Sequence, residues 1–224
     1  MHQHHVASFA HVSAELARWS LEFTFGDVLS RDGLEPKVKH MAVATMLATA
    51  GNRADLLREH LTGALHCGAT PEEVIEVLIQ LSVYAGFPAA LNAFSVAGEV
   101  LSTWSERPGI MPPAPQSLPP PESRKERRKR GLAVLAVTSG ASGEAVVSSF
   151  DDIAPDIGRM IVEHSYGDLF ARTGLDPKTR ELTACAALAA RGTVTTETPL
   201  RVHVNAALNV GASHAEVLET LLNV

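Results

Sequence analysis

The 224-residue sequence predicts an all-α protein built from two tandem copies of one helical unit. Three observations predict this. Apolar residues recur at helical spacing. No stretch long enough for a strand alternates apolar and polar residues with the period of two that is typical of a half-buried strand. The sequence repeats internally, because residues 8–40 align without a gap with residues 149–181, an offset of 141 positions. Helix start and stop signals fall at equivalent places in the two copies.

After a two-residue insertion the repeat continues at an offset of 143, so that His60 aligns with His203. The second copy runs to Val224, which aligns with Leu81, so it lacks a counterpart of the first copy's tail, SVYAGFPAALNAF. We expect a first domain at residues 8–106, a linker at 107–130, and a second domain, truncated at its C-terminus, at 131–224.

The helices of the two copies are predicted in the same order. An amphipathic first helix ends at a Gly-Leu-acidic-Pro break, where Pro36 and Pro177 suit the first turn of the next helix and Glu35 and Asp176 suit its N-cap. That second helix is apolar nearly all round, which is typical of a buried helix. A helix carrying the histidine follows in each copy.

The fourth predicted helix starts with a capping box in both copies, Thr70 to Glu73 and Ser213 to Glu216. Only the first copy goes on, through a Gly-Phe-Pro turn, into a further helix that starts at Pro88.

The region between the copies contains seven prolines from Arg107 to Pro121, followed by the basic run ESRKERRKR at 122–130. Proline stiffens a segment and charge keeps it hydrated, so this composition favours a solvated linker over a nucleic-acid patch. The next segment, GLAVLAVTSGASGEAVV, allows either a short strand or an amphipathic helix.

Composition excludes several classes of protein. A net charge of -6 and a pI near 5.9 provide no basic face for nucleic acid. Cys67 and Cys185 lie far apart and outside any CxxC, so we expect no disulfide framework, no dithiol and no zinc site, and both cysteines are most simply small buried residues. We find neither a run of about 18 apolar residues nor a signal peptide, so we expect no membrane contact and a cytoplasmic location.

The candidate catalytic residues are the two aligned histidines and one carboxylate. His60 and His203 each share a helical stripe with apolar residues, so both side chains are predicted to point inward. A lone inward histidine is usually a core residue, but its recurrence in both copies favours function. Glu181, next to Arg180, either forms a local ion pair at a helix start or serves as a buried carboxylate in proton transfer.

The first copy has Lys39 and His40 at the positions of Arg180 and Glu181. These four residues are candidates for holding substrate carboxylates and for tuning the histidine. Tyr84 and Asn92 are candidate donors to a bound anion, although a tyrosine near a helix end is equally typical of an interface.

At these residues the sequence resembles the carboxymuconolactone decarboxylase family. The resemblance rests on LREHLTGALHCGATPEEVIEVLIQLSVYAGFPAALNAF in the first copy and on GLDPKTRELTACAALAARG and RVHVNAALNVGAS in the second. It implies alkylhydroperoxidase-like helical domains and a homo-oligomer, a trimer or a hexamer-like ring. It also implies cofactor-free decarboxylation of a small anionic lactone in aromatic catabolism, with His60 or His203 as the family histidine and Glu181 as the glutamate.

Two rival functions remain open. In the alkylhydroperoxidase branch two cysteines precede the histidine, but this sequence has Arg53 and Leu56 in the first copy and Thr196 and Pro199 in the second, which argues against a thiol peroxidase. A non-catalytic ligand-binding or scaffolding oligomer is the other rival. Because neither copy has every motif, one hypothesis is that the copies complete each other's sites, and its competitor is that one copy is structural.

Overall fold

The described part of the chain, residues 10–51, 53–105, 122–192 and 197–223 of a computed structural model, is helical and contains no strand. The prediction of an all-α tandem protein is confirmed. Within these residues no helix is long and apolar enough to cross a membrane. The proline-rich part of the predicted linker lies outside the described residues.

The helices of the first copy are α1 (Ala14–Leu21), a π-helix that continues it (Glu22–Leu29), α2 (Pro36–Ala50), α3 (Ala54–His66), α4 (Pro71–Ile79), α5 (Leu81–Tyr84) and α6 (Phe87–Ser105). Those of the second region are α7 (Arg124–Thr138), α8 (Gly140–Ser148), α9 (Pro155–Met160), its π-helical continuation (Ile161–Phe170), α10 (Pro177–Arg191), α11 (Glu197–Asn209) and α12 (His214–Leu222). A π-helix is rare and is often found at functional sites.

The helix starts follow the predicted local chemistry with one exception. Both capping boxes form, at Thr70 and at Ser213. The Asp176 side chain accepts a hydrogen bond from the backbone N–H of Thr179 at 2.9 Å, as expected of an N-cap. Glu35 makes no such bond, so its predicted capping role is wrong. Its longer side chain suits the N-cap position less well than an aspartate does.

The centre of the molecule is formed by α2 and α10, which pack against each other across the two copies. One continuous hydrophobic core contains residues of both copies, among them Met41 and Leu61 of the first and Leu182 and Ala187 of the second. Because the copies share this core, neither one buries its apolar surface alone.

Reciprocal ion pairs also join the copies. Glu76 accepts hydrogen bonds from Arg172 at 2.6 Å and from Arg180 at 2.9 Å. Its repeat counterpart Glu219 binds Arg31, the counterpart of Arg172, at 2.9 Å. Each copy therefore supplies a carboxylate to the other, as expected of two units related by an approximate two-fold axis.

The basic run expected to be part of a solvated linker instead forms the start of α7, which Ser123 caps. Arg127 and Arg130 pair with Asp168, and the following segment is helical as α7 and α8. α7 crosses the second π-helix closely, because a Cβ on Gly131 would collide with the carbonyl oxygen of Val162. The basic residues therefore pair with an acidic side chain of the second domain.

The apolar stripe of the first helix faces outward in both copies. Trp19 is 54% exposed, and its counterpart Met160 is 51% exposed. Their stripe neighbours are also exposed: Val12, Leu16 and Phe23 in one copy, Ile153 and Ile157 in the other. The prediction of buried cysteines is correct for Cys185 but wrong for Cys67, which caps the C-terminus of α3 at the surface.

Candidate functional site

A cavity of about 510 Å³ lies between the two copies. Its walls come from α5 of the first copy and from α8, the second π-helix, α10 and α11. Most lining side chains are apolar, among them Val83, Phe150 and Phe170. A cavity of this size with a few converging polar groups is the usual form of a small-molecule site.

Glu181 and His203 form a hydrogen-bonded pair at this cavity. Oε2 of Glu181 lies 2.6 Å from Nδ1 of His203. The Glu181 side chain is fully buried, whereas His203 retains 13% exposure and lines the cavity. An ionised carboxylate only accepts hydrogen bonds, so Nδ1 donates and Nε2 is left for a ligand.

Tyr84 comes from the first copy and completes the site of the second. Its ring packs edge-on against His203, with centroids 5.0 Å apart and an interplanar angle of 88°. Among the described residues its hydroxyl has no hydrogen-bond partner. Burial and the nearby Glu181 carboxylate raise the Tyr84 pKa well above its usual range, so the phenol stays protonated and able to donate.

The two predicted cationic substrate contacts lie elsewhere. Nη2 of the buried Arg180 bonds to Glu76 at 2.9 Å, and its guanidinium carbon lies 6.0 Å from the centroid of the Phe170 ring. Lys39 is buried and donates to the backbone carbonyls of Leu29 and Arg31. These bonds give both cations a structural role, since a buried cation needs protein partners, and their contact with a substrate stays a prediction.

The equivalent site of the first copy has different chemistry. His60 is buried, and its Nδ1 lies 3.1 Å from Nδ1 of His40, which replaces the carboxylate. In this bond one imidazole donates and the other accepts. The adjoining cavity is about 240 Å³, and no tyrosine lines it.

The remaining candidates lie away from both histidine cavities. Asn92 is exposed on α6 and faces a separate depression with Arg53. Neither cysteine lines either cavity, and burial raises the pKa of the Cys185 thiol. In residues 10–51, 53–105, 122–192 and 197–223, no cluster of three histidine, cysteine or carboxylate side chains is placed to hold a metal ion.

Sequence reasoning missed several polar residues that line the larger cavity, among them Tyr166 and Arg191. Tyr166 bonds through its hydroxyl to Oγ of Ser139 at 2.8 Å, and Arg191 bonds to the first copy. In the repeat these positions align with Phe25 and Ala50. The replacement of apolar by polar residues between aligned copies was the signal that could have found them.

The fold and the site define a tandem helical protein in which a carboxylate-oriented histidine faces a cavity between the two repeats. Sequence comparison gives its family. The chain belongs to the Carboxymuconolactone decarboxylase family, which it matches at residues 14–99 and 155–224.

Two curated relatives are similar over part of the chain. A protein named 4-carboxymuconolactone decarboxylase from Acinetobacter baylyi is 37% identical over 78 residues, which cover 35% of this chain and 58% of that protein. An uncharacterized 15.0 kDa protein encoded in the nqo9-nqo10 intergenic region of Paracoccus denitrificans is 32% identical over 87 residues, covering 38% and 65% respectively. The chain thus spans less than two thirds of either relative.

Proposed function

We propose that this protein is a cofactor-independent decarboxylase of the γ-carboxymuconolactone type, acting on a small anionic lactone in the catabolism of aromatic compounds. The observation that carries the proposal is the Glu181–His203 pair, Oε2 to Nδ1 2.6 Å, at a cavity that also receives Tyr84. Family membership and the name of the Acinetobacter relative support the same reaction class.

The reaction needs an acceptor for the electron pair that carbon dioxide leaves behind, and it needs a proton donor. The departing carboxylate of γ-carboxymuconolactone sits on a carbon that a double bond links to the lactone carbonyl. When the carbon–carbon bond breaks, carbon dioxide leaves and its electron pair moves into that carbonyl, giving an oxyfuran-like anion. Protonation at carbon then gives the enol-lactone, so atoms and charge balance without an oxidant or reductant.

The residues at the cavity suit these two tasks. Tyr84, which remains protonated, donates a hydrogen bond to the developing oxyanion. Protonated His203 delivers the proton from Nε2, and Glu181 holds Nδ1 and stabilises the imidazolium. A single oxyanion donor contributes roughly 3 to 4 kcal/mol in related chemistry.

We propose one such catalytic site per chain. Its histidine and carboxylate belong to the second copy and its phenol to the first, which supports the hypothesis of a composite site. The first copy has His40 at the position of Glu181, and no tyrosine is among the described residues that line its cavity, so the first copy acts mainly as a structural partner that supplies Tyr84.

We also propose that the protein is a cytoplasmic homo-oligomer, a trimer or a hexamer-like ring. The outward apolar stripes of α1 and α9 support assembly, since Trp19 and Met160 are both about half exposed. Light scattering after size-exclusion chromatography tests this. Trp19→Glu and Met160→Glu are expected to lower the molar mass in solution. A wild-type protein that elutes with the mass of a monomer would contradict the proposal.

The test of the reaction is to add γ-carboxymuconolactone to the purified protein in D₂O and to follow the substrate and the enol-lactone by proton NMR. We expect substrate loss with one deuterium incorporated at carbon. If the substrate disappears no faster than without protein, this compound is excluded as the substrate and the non-catalytic rival is favoured. Thiol-dependent consumption of peroxide would favour the redox rival instead.

A further inference from the structure

We infer that Arg191 forms a carboxylate-binding subsite at the edge of the 510 Å³ cavity and selects acids over uncharged analogues. The inference rests on the proposed function for its choice of substrate. Among the described residues that line this cavity, Arg191 alone carries a permanent positive charge. His203 lines the same cavity, and its charge depends on protonation.

The guanidinium is held at one end and free at the other. Nη1 donates to the backbone carbonyl oxygen of Tyr84 at 2.7 Å. Within the described residues, Nε and Nη2 have no hydrogen-bond partner. An arginine edge with these donors matches a carboxylate with two parallel hydrogen bonds, so the tether orients a ready-made anion contact.

The other cations that sequence reasoning assigned to this task are not among the described residues that line the cavity. Arg180 pairs with Glu76 through Nη2, although its buried Nε and Nη1 have no hydrogen-bond partner among the described residues, and Lys39 bonds to backbone carbonyls. Of the described lining residues, Arg191 is therefore the one that offers an anion a fixed charge.

The repeat provides an internal comparison. Arg191 is the last residue of α10, and its counterpart at the end of α2 is Ala50. The smaller cavity beside His60 has no arginine or lysine among its lining residues. The arginine, the carboxylate–histidine pair and the tyrosine thus occur together at one cavity, whereas the first copy's cavity lacks all three.

The same arginine joins the two copies at the site. Because its Nη1 bond ends on Tyr84, a ligand carboxylate held by Nε and Nη2 would be fixed relative to the tyrosine that the first copy supplies. Arg191 is thus both an anion anchor and a positioning residue for Tyr84.

The test compares two probes of the same shape, furan-2-carboxylate and its methyl ester, by isothermal titration calorimetry on the full chain. We expect the wild type to bind the acid at least about tenfold more tightly than the ester, a modest value because Arg191 is exposed. Arg191→Gln should remove this preference while leaving ester binding unchanged, and Arg191→Lys should restore part of it.

One control variant makes the result decisive. Arg201→Gln removes an exposed arginine that pairs with Glu197 and does not line the cavity, so it should keep the acid preference. A wild type without the preference, an Arg191→Gln variant that retains it, or an Arg201→Gln variant that loses it would overturn the inference. Because binding needs no turnover, the preference can be present even if γ-carboxymuconolactone is not a substrate.

Discussion

Glu181 and His203 are joined by a 2.6 Å hydrogen bond between Oε2 and Nδ1, whereas the aligned positions of the first copy hold two histidines 3.1 Å apart. The same backbone framework therefore carries an acid–base pair in one copy and a pair of imidazoles in the other. Only the pair in the second copy joins a histidine to a carboxyl group, and this is the pair that lies at the larger cavity.

Glu181→Gln is expected to lower kcat by about 100-fold or more, because the neutral amide neither stabilises the imidazolium nor fixes the Nδ1–H tautomer. The measurement is the initial rate of decarboxylation, with a thermal melt to show that the variant folds. Glu144→Gln, at an exposed position of α8, is the matched control and should retain full activity. A folded Glu181→Gln variant with the wild-type rate would show that the carboxylate is only structural.

Tyr84→Phe tests the contribution of the first copy to the site. Its hydroxyl has no partner among the described residues, so the substitution should leave stability nearly unchanged while lowering kcat by about 100-fold. Tyr166→Phe is the control, because that hydroxyl already bonds to Ser139 at 2.8 Å and should affect stability more than rate. Equal rates for Tyr84→Phe and wild type would remove the tyrosine from the mechanism.

Glu76→Gln is expected to destabilise the protein by about 3–5 kcal/mol, since it leaves the buried Arg180 without its charged partner. The free energy of unfolding from urea titration measures this. Glu219→Gln should cost less, because its partner Arg31 has a side chain that is 49% exposed. Equal losses would show that burial does not distinguish the two reciprocal pairs.

The stability of the wild type is also expected to depend on pH through Glu76. Burial alone would raise the Glu76 pKa, but hydrogen bonds from Arg172 and Arg180 outweigh it and hold the pKa below the usual 4.5. A carboxylate with a lowered folded-state pKa stabilises the fold above its unfolded pKa, and this contribution disappears as pH falls through the folded value. Acid titration below about pH 4.5 should therefore destabilise the wild type more than Glu76→Gln; parallel curves would contradict the prediction.

Gly167→Ala and Gly26→Ala form a matched pair within the repeat. A Cβ on Gly167 would lie 2.7 Å from the carbonyl oxygen of Arg127 on α7, so the substitution should cost about 1–3 kcal/mol. Gly26, its counterpart, has no atom within 4 Å of that position, so alanine there should be neutral or slightly stabilising. Thermal unfolding compares them, and equal melting temperatures would show that α7 does not press on the π-helix.

Local sequence signals were sufficient for much of the fold. Capping boxes at Thr70 and Ser213 and the prolines at the start of α2 and α10 act through bonds within a few residues, so they can be read without tertiary information. The helical form of the basic run was not predicted, although Ser123 and Glu126 form a local capping box at its start. Its pairing with Asp168, about forty positions away, could not be read from local sequence.

The candidate site was only partly predictable for the same reason. His203 and Glu181 could be chosen from an inward stripe and a buried helix, and the repeat suggested that the copies share parts. Two features depend on how α2 packs against α10. Tyr84 of the first copy reaches His203 of the second, and Arg180 bonds to Glu76. No spacing within one copy encodes that packing.

The most direct test of the central claim, one composite catalytic site per chain, is the rate of γ-carboxymuconolactone decarboxylation by His203→Asn and His60→Asn, measured side by side by proton NMR. We predict that His203→Asn loses nearly all activity. His60→Asn should keep most of it, provided that a thermal melt shows the variant to be folded. Half the activity in each variant, or loss only in His60→Asn, would contradict it.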